Sequence, residues 1–501
     1  MATTKKINRR EFLGSAAVAS LAFTVVPRQV LGGPGYLAPS DKITLGYIGC
    51  GTQGLREMTA LISNPALQIV AVCDPNKFTT DYVDWSLNDV RNSIRKALGD
   101  NSWGEAIKGI PGGRDIGQEF VQKYYGKSKD SGTYKGCASY EDFRELLERE
   151  KDLNAIKIMT PDHLHGTIAI ASMKKGKHVV THKPIANRMH EFRLTVDTAK
   201  KTGMSTHLLA WSKRPDYDTI KKWISEGRIG KLKEIHNWSL RPMWPQWQAN
   251  PTEKPPVPKD FNWDLWLGPV PDRPYHPNYT HAVFRGWYDF GAGSIADMGH
   301  YSLFPLFMTL GINTPAKNAD AYATTTCALQ NNVSVGVKND VAFPLSCIIR
   351  FKFDAQAELP PFDLFWYDGG MKPVTPDEYS EAGKSLEREG MMFVGDKGKI
   401  IGGFRGEKPV LYSENKMLQA ESAPESSGQN SNDVWINAFK NNTQSPGSFI
   451  YAGPVTETIL LGAVALRAGK KVEYDTLNMK ITNIPEANKY LVREYRKGWE
   501  L

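Results

Sequence analysis

The segment 291–303 carries three side chains whose types and spacing suit proton transfer. Asp297, His300 and Tyr301 stand at positions i, i+3 and i+4 of a pattern that predicts a helix following a glycine-rich loop. Side chains at this spacing share one helical face, so a carboxylate, an imidazole and a phenol would face the same pocket. An imidazole beside a carboxylate can act as a general base toward an alcohol. The alternative interpretation is a helix cap with a buried polar cluster.

A second candidate site is the glycine-rich turn at 49–54. The β-rich run 42–48 leads into a Gly-x-Gly-x-x-Gly pattern, and a helix is predicted from Leu55. The glycines permit a tight turn, a close approach to a pyrophosphate and close helix–strand packing, and the helix N-terminus favours the phosphate charge. The residues expected to bind a dinucleotide are Gly49, Gly51, Thr52, Gln53 and Gly54. The alternative is a glycine turn in another kind of α/β protein.

An acidic residue follows the next predicted strand. The apolar run 68–73 ends at Asp74, twenty residues after the last glycine of the turn. A carboxylate at this place suits the ribose hydroxyls of NAD and would repel the 2′-phosphate of NADP. The cofactor is therefore predicted to be NAD rather than NADP.

Two further strand patterns, 155–159 and 177–181, each end in polar residues. Ligands bind at the carboxyl ends of the strands in an open doubly wound sheet, so a nicotinamide and a substrate would meet at loops 160–165 and 182–184. The residues of these loops expected at the cofactor site are Thr160, Pro161, His163, His165, His182 and Lys183. The His-x-His spacing in the first loop lacks a third ligand at a recognisable spacing, so no metal is expected.

The order of these motifs resembles that of the Gfo/Idh/MocA oxidoreductases. The glycine turn and its aspartate are followed by Thr-Pro-Asp-His-x-His at 160–165, by Lys-Pro at 183–184 and by the aspartate-bearing helix, with further similarity at 262–269, 285–291 and 493–499. The later segments are similar to an exported bacterial subgroup. The resemblance implies NAD(P)-dependent chemistry on a sugar or cyclitol.

The resemblance also implies a role for Lys183, which stands where the family has its catalytic lysine. Its ammonium could polarise a sugar oxygen, whereas the alternative is a surface ion pair at a strand end. His182 replaces the glutamate that the family commonly has before Lys-Pro, and Tyr301 replaces its histidine. His300 lies one residue earlier, about 100 degrees away on a helix. Either His300 or Tyr301 would therefore move the proton, and a pKa lowered by Lys183 would favour Tyr301.

Length and composition indicate a folded α/β protein of two domains. The 501 residues exceed one core, and 41% hydrophobic and 23% charged residues are typical of globular proteins. We predict a Rossmann domain at 40–185 and an α/β domain at 186–480 with a large open, mostly antiparallel sheet. A Trp- and Pro-rich insertion is expected near 237–290, and a tail at 481–501 should pack back on the fold. In the family the sheet often supports oligomers, which implies a homo-oligomer.

Residues 1–35 are typical of a targeting segment. Arg9 and Arg10 precede a Phe-Leu step and the weakly apolar run 15–26, which resembles a twin-arginine signal for folded proteins. The apolar run is shorter than the roughly 20 residues that span a bilayer. These features predict a periplasmic or otherwise exported protein without stable membrane insertion after signal removal, and tight NAD binding because free NAD should be scarce there. The alternative is a solvated N-terminus.

Three functions fit these patterns. The first is an NAD-dependent oxidoreductase that transfers a hydride from a sugar or glycoside to the nicotinamide. The second is an NAD-retaining glycosidase that works by transient oxidation and elimination. The third is a non-catalytic sugar-binding protein on a Rossmann scaffold, for which His182 and Tyr301 argue.

The net charge of +8 is spread in short mixed runs without a recognisable nucleic-acid module, so no nucleic-acid partner is expected.

Overall fold

The computed structural model describes residues 41–127, 136–381, 383–413, 416–419 and 431–501. The predicted signal at 1–35 lies outside these residues. Within them, no helix is both long and apolar enough to cross a membrane.

The N-terminal half is a six-stranded parallel sheet with helices between its strands, as the strand–turn–helix pattern predicts. Its strands are β1 (Ile43–Ile48), β2 (Leu67–Cys73), β3 (Ala138–Tyr140), β4 (Ala155–Ile158), β5 (His178–Thr181) and β6 (Thr206–Leu208). The helices are α1 (Thr52–Leu61), α2 (Asp89–Leu98), α3 (Arg114–Gly126), α4 (Phe143–Arg149), α5 (Asp162–Lys174) and α6 (Met189–Thr202). The strand order is β3-β2-β1-β4-β5-β6, so the order reverses between β1 and β4. Ligand crevices of such sheets lie at this reversal.

The parallel sheet continues beyond the domain boundary predicted at 185. Strand β6 pairs with β5 in parallel, with Val179 opposite Thr206, and α6 lies between them in the chain. A three-residue strand has too short a pattern to be recognised by its periodicity. The Rossmann sheet therefore ends at Leu208.

The C-terminal half is built on a ten-stranded sheet. Its chain segment contains β7 (Leu232–Trp238), β8 (Asn318–Ala323), a separate hairpin of β9 (Thr326–Gln330) and β10 (Val333–Val337), then β11 (Cys347–Phe353), β12 (Phe362–Tyr367), β13 (Gly390–Gly395), β14 (Gly398–Gly402), β15 (Val410–Ser413), β16 (Lys416–Gln419), β17 (Val472–Asp475) and β18 (Lys480–Ile481). The order in the large sheet is β16-β15-β14-β13-β7-β12-β11-β8-β17-β18. Among the described strand pairs of this sheet only β7 and β12 are parallel, so the prediction of a mostly antiparallel sheet is confirmed.

Strand β11 shows why the sheet could be predicted. Its residues alternate between buried and half-buried along the whole strand, because successive side chains of a strand point to opposite faces.

The helices of this half are α7 (Pro215–Ser225), α8 (Trp263–Leu267), α9 (His300–Leu310), α10 (Asp377–Glu381), α11 (Ser431–Lys440) and α12 (Gly453–Ala468). Side chains of α9 and α12 join those of β8, β11 and β12 in one hydrophobic core, which extends into the Rossmann half.

The Trp- and Pro-rich segment after β7 is largely irregular. It contains α8 and two 3-10 turns, Pro277–Tyr279 and Ala282–Gly286, and its aromatic rings form a separate hydrophobic cluster. Trp263 and Trp266 are stacked there, with ring centroids 4.9 Å apart. The Trp266 carbonyl oxygen lies 2.8 Å from Nε2 of His163 at the start of α5. This contact holds the segment over the carboxyl ends of the parallel strands.

The C-terminal tail contacts the Rossmann half. Arg493 forms a buried ion pair with Glu191 of α6. Trp499 is buried and its ring centroid lies 6.1 Å from that of Phe143 in α4. These contacts tie the end of the chain to α4 and α6.

Candidate active site

Two neighbouring cavities lie at the carboxyl ends of β1, β4 and β5. The first is here called the glycine-turn cavity. Predicted cofactor residues in its wall are Gly49, Gly51, Thr52, Gln53, Gly54, Asp74, Thr160, Pro161 and His182. The turn, the acidic residue and the loop after β4 thus come together as the sequence indicates.

Two positions of the turn require glycine. Gly49 has a φ of +102°, and a Cβ there would lie 2.5 Å from the carbonyl oxygen of Met159. A Cβ on Gly54 would lie 2.2 Å from the carbonyl oxygen of Gly49. Helix α1 begins directly after Gly51, which caps it without a side-chain hydrogen bond, and its first turn has no acidic residue. The free N–H groups of this turn are therefore open to an anion.

Asp74 lies at the other side of the turn. Its carboxylate accepts hydrogen bonds from the backbone N–H of Cys50 at 2.7 Å and of Asn76 at 2.8 Å. Burial raises the pKa of this carboxyl, and the two amide donors oppose the shift. Because an ionised carboxylate has about four acceptor positions, capacity remains for hydroxyl donors in the cavity.

The second cavity is here called the lysine cavity. Its wall includes Lys183, Asp297 and Tyr301, and it shares His182 and Arg285 with the glycine-turn cavity. His182 and Lys183 follow β5, whereas Asp297 lies in a π-helical turn, Ile295–Gly299, directly before α9. Residues from two domains therefore meet where the cavities join.

The centre of the lysine cavity is a buried ion cluster. Nζ of Lys183 donates to Oδ1 of Asp297 at 2.5 Å, and Nε of Arg285 lies 3.2 Å from the same oxygen. Burial alone would raise the pKa of Asp297, but the lysine and arginine charges outweigh burial and hold this pKa at about 2. Burial lowers the pKa of Lys183, and the carboxylate opposes that shift only in part. A buried lysine with a lowered pKa can exchange a proton more readily than an exposed one.

Tyr301 and His182 form a hydrogen-bonded pair beside this cluster. The phenol oxygen lies 3.1 Å from Nε2 of His182, and Nζ of Lys183 lies 5.0 Å from the phenol ring centroid. Burial, followed by the Asp297 carboxylate, raises the pKa of Tyr301, so the lowered pKa that would favour this phenol as the proton-transfer group is not found. Burial and the Lys183 charge hold the pKa of His182 well below its ordinary value. The pair is therefore a neutral phenol and a neutral imidazole.

His300 does not share the face of Asp297 and Tyr301, which corrects the prediction of three residues on one face. Its Nδ1 lies 3.1 Å from the carbonyl oxygen of Ala296 and its Nε2 lies 3.2 Å from the hydroxyl of Thr456. The side chain is fully buried against α12. The cause is the π-helical turn, whose i→i+5 hydrogen bonds widen the turn and change which residues align.

His163 and His165 were expected on a loop, and that expectation is wrong because α5 begins at Asp162. Both side chains are fully buried, and neither is among the residues that line the two cavities. The ring nitrogens of His165 lie 2.6 Å from the carbonyl oxygen of Pro184 and 2.8 Å from that of Thr160. His165 thus links the two loops that carry the site.

Within the described residues, no cluster of three or more His, Cys, Asp or Glu side chains could hold a metal.

Two family models match the chain. Residues 118–208 match the Gfo/Idh/MocA model described as "Oxidoreductase family, NAD-binding Rossmann fold", and residues 218–342 match the model described as "Oxidoreductase family, C-terminal alpha/beta domain". The chain contains Gfo/Idh/MocA oxidoreductase domains.

Curated relatives match this chain over part of their length. A levoglucosan dehydrogenase of Pseudarthrobacter phenanthrenivorans is 33% identical over 115 residues, which are 23% of this chain and 28% of that protein. A glycosyl hydrolase family 109 protein of Shewanella pealeana is 25% identical over 211 residues, which are 39% of this chain and 38% of that protein. The matched parts therefore span well under half of these relatives.

Solved structures share the fold of the Gfo/Idh/MocA domains. The WlbA dehydrogenase of Chromobacterium violaceum, solved with NADH and UDP-GlcNAcA, has a TM-score of 0.51 and 14% identity, and the match covers 87% of this chain and 97% of that one. The WlbA dehydrogenase of Bordetella pertussis has a TM-score of 0.50 and 16% identity, with 87% and 99% covered. At these identities the likeness shows the fold.

The glycine-turn cavity fits the NAD that such a Rossmann domain binds. The contacts at Gly49 and Gly54 leave no room for a side chain, and the uncapped N-terminus of α1 provides N–H donors for a pyrophosphate. The Asp74 carboxylate in the same wall suits ribose hydroxyls.

Several residues that line the two cavities or contact Asp297 were not predicted from the sequence. Tyr82 and His281 form a pair with ring centroids 3.8 Å apart in the wall of the glycine-turn cavity. Arg285 and Arg241 both approach Asp297. Arg285 stands in a segment that resembles the family, which was a usable signal. Tyr82, Arg241 and His281 stand in irregular segments without a periodic pattern.

Proposed function

We propose that this protein is an NAD-dependent dehydrogenase of a sugar or glycoside, and that the lysine cavity holds the sugar. The observation that carries the proposal is the position of His182, whose imidazole lines both cavities and bonds Tyr301 beside Lys183. A reacting carbon at this junction would lie between the cofactor cavity and the groups that exchange protons.

The chain's own residues can stabilise and move the proton of a sugar hydroxyl. When bound, NAD supplies a hydride acceptor at the nicotinamide C4. The Lys183 ammonium, fixed by Asp297, would polarise the sugar oxygen and stabilise its developing negative charge. Tyr301 would accept the hydroxyl proton while its own proton passes to Nε2 of His182. Burial and the Lys183 charge hold the pKa of His182 well below its ordinary value, which keeps the imidazole neutral but makes it a weak base. The relay therefore depends on the Lys183 ammonium to make the sugar hydroxyl more acidic.

The test is turnover of a glycoside panel with NAD, followed at the absorbance band of NADH and by analysis of the sugar products. Lys183→Met should lower kcat by about 100-fold or more while NAD binding is retained. Lys175→Met is the matched control because Lys175 is half exposed and pairs with Glu148 at the surface. Unchanged turnover in the Lys183 variant, with its unfolding midpoint intact, would contradict the proposal.

A glycosidase that retains NAD is the second candidate, and the match to a glycosyl hydrolase family 109 protein favours it. Such an enzyme would oxidise the sugar transiently, eliminate the aglycone and reduce the product again. Release of the aglycone without accumulation of NADH would select this candidate. Binding of a glycoside without any chemical change would select a non-catalytic sugar-binding protein.

We further propose export by the twin-arginine route, supported by Arg9 and Arg10 ahead of the apolar run at 15–26. Replacing both arginines by lysine should retain the protein in the cytoplasm, as measured by cell fractionation. Equal export of both forms would argue against this route.

A homo-oligomer built on the ten-stranded sheet is proposed by analogy with the family. Tyr322 on β8 and Leu345 just before β11 are exposed apolar side chains. Their exposure supports a contact between two copies of the chain at this sheet. Light scattering of the purified protein should give a mass above 55.9 kDa.

A further inference from the structure

Arg241 is a cation of the lysine cavity that the reaction above does not use. It follows β7, and its side chain is about one-fifth exposed. The guanidinium carbon lies 4.6 Å from the ring centroid of Trp85, whose own side chain is 60% exposed at the rim. Stacking on an indole fixes the plane of a guanidinium and leaves its N–H edges open to a ligand.

Within the part of the chain that the structure describes, Arg241 has no carboxylate at hydrogen-bond distance. The wall carries four cations and two carboxylates, namely Arg56, Lys183, Arg241, Arg285, Asp84 and Asp297. Arg56 binds Asp84 and also Asp89, at 3.1 Å. Lys183 and Arg285 both contact Oδ1 of Asp297.

The contact between Arg241 and Asp297 is weak. Among the described residues, the one carboxylate oxygen within 4.0 Å of its guanidinium is Oδ2 of Asp297, at 4.0 Å from Nε. This separation exceeds hydrogen-bond distance. A partly buried cation with five N–H donors thus has one distant carboxylate among the described residues, although buried polar groups are usually hydrogen-bonded.

We propose that the lysine cavity takes a sugar carrying one oxyanion, the carboxylate of a uronic acid, and that Arg241 binds this group. The inference rests on the proposed sugar site. The cations of the wall outnumber its carboxylates, and the planar fork of the Arg241 guanidinium matches the two oxygens of one carboxylate. Arg241 stands on the Oδ2 side of Asp297, whereas Lys183 and Arg285 stand on the Oδ1 side, so recognition of the anion is separate from the proton-exchanging groups.

The experiment is calorimetric titration of the NAD-supplemented protein with three ligands: methyl glucopyranosiduronate, methyl glucopyranoside and methyl glucopyranoside 6-sulfate. The native chain should bind the uronate about 10- to 100-fold more tightly than the neutral glycoside. Arg241→Gln should abolish this preference and change the affinity for the neutral glycoside by no more than about twofold. Arg241→Lys should recover part of the preference, because it restores the charge without the fork.

Two further variants complete the design. Arg228→Gln is the matched control, since Arg228 is exposed, pairs with Glu226 and lies outside both cavities, and it should keep the full preference. Trp85→Leu removes the exposed platform without disturbing the core and should weaken the preference by a smaller factor than Arg241→Gln.

Equal binding of uronate and neutral glycoside by the native chain would overturn the proposal, as would an undiminished preference in both Arg241→Gln and Trp85→Leu. Tighter binding of the sulfate ester than of the uronate would overturn the choice of carboxylate. Uronate binding that depends on Arg241 without NADH formation would sink the dehydrogenase proposal and support this one. NADH formation from glycosides, together with equal binding of the uronate and the neutral glycoside, would support the dehydrogenase proposal and overturn this one.

Discussion

The glycine-turn cavity and the lysine cavity share a wall, but they differ in how much of each wall is backbone and how much is side chain. The first combines the backbone of the glycine turn with Asp74 and with the aromatic pair of Tyr82 and His281. The second is formed by charged and aromatic side chains of segments as far apart as Trp85 and Tyr301. A single added methyl group can distort the glycine turn, whereas a conservative replacement in the lysine cavity removes one functional group at a time. Substitutions should therefore separate cofactor binding from chemistry.

The largest expected effect lies in the lysine cavity. Tyr301→Phe keeps the ring but removes the hydroxyl that bonds His182, so kcat should fall about 10²- to 10⁴-fold, the usual contribution of general acid–base catalysis. The affinity for NAD, measured by NADH fluorescence titration, should remain within error of the native value.

His300→Ala is the matched comparison because His300 is adjacent in sequence but points into the core. Loss of its contacts with Ala296 and Thr456 should cost about 1–3 kcal/mol of unfolding free energy. The value of kcat should be unchanged under conditions where the variant is folded. A larger kcat loss in the His300 variant than in Tyr301→Phe would reverse the two roles.

The next effect tests the backbone cavity. Gly54→Ala would place a Cβ 2.2 Å from a backbone oxygen of the turn, and overpacking of this kind costs about 1–3 kcal/mol. The turn must shift to relieve the contact, so NAD should bind about 100-fold more weakly. Titration with NADH measures the loss.

Gly126→Ala provides the control at the end of α3, where no described heavy atom lies within 4 Å of the added Cβ. That variant should bind NAD as the native chain does. Equal losses in the two variants would show that the Gly54 result is not a local steric effect.

These two cavities also differ in how far the sequence predicts them. The glycine turn and Asp74 follow local patterns of strand, turn and helix, so their position can be derived from the order of residues alone. His300 was placed on the wrong face because a π-helical turn leaves no distinct sequence pattern. Arg241 was missed because it stands in an irregular segment, and its partner Trp85 is 156 positions away in the chain. Contacts between distant irregular segments depend on tertiary packing, which periodicity does not report.

A smaller effect concerns pH and again belongs to the ion cluster. The pKa of Asp297 falls from 3.8 to about 2 in the folded chain, so the folded state binds its proton less readily than the unfolded state. The stabilisation is present above pH 3.8 and is lost as pH falls through 2, which amounts to about 2 kcal/mol. Urea unfolding at pH 4.5 and pH 2 should show this loss in the native chain.

In Asp297→Asn the decrease between the two pH values should be smaller by about that amount. Asp354→Asn is the control, because Asp354 is 72% exposed in its pair with Lys317, and it should leave the decrease unchanged. Identical pH dependence in the native chain and in Asp297→Asn would mean that the cluster does not hold this carboxylate ionised.

The smallest expected effect is on NAD affinity and concerns Asp74, the carboxylate in the wall of the glycine-turn cavity. In Asp74→Asn one of the two oxygens that accept from Cys50 and Asn76 becomes an amide nitrogen, and the ribose loses a charged acceptor. Since a hydrogen bond to a charged group contributes about 1.5–3 kcal/mol, NAD should bind about tenfold more weakly. Removal of the charge should also narrow the preference for NAD over NADP, because less repulsion meets a 2′-phosphate. Paired titrations with NADH and NADPH measure both effects, and a preference that stays constant while NAD affinity falls would assign Asp74 to the support of the turn rather than to the ribose.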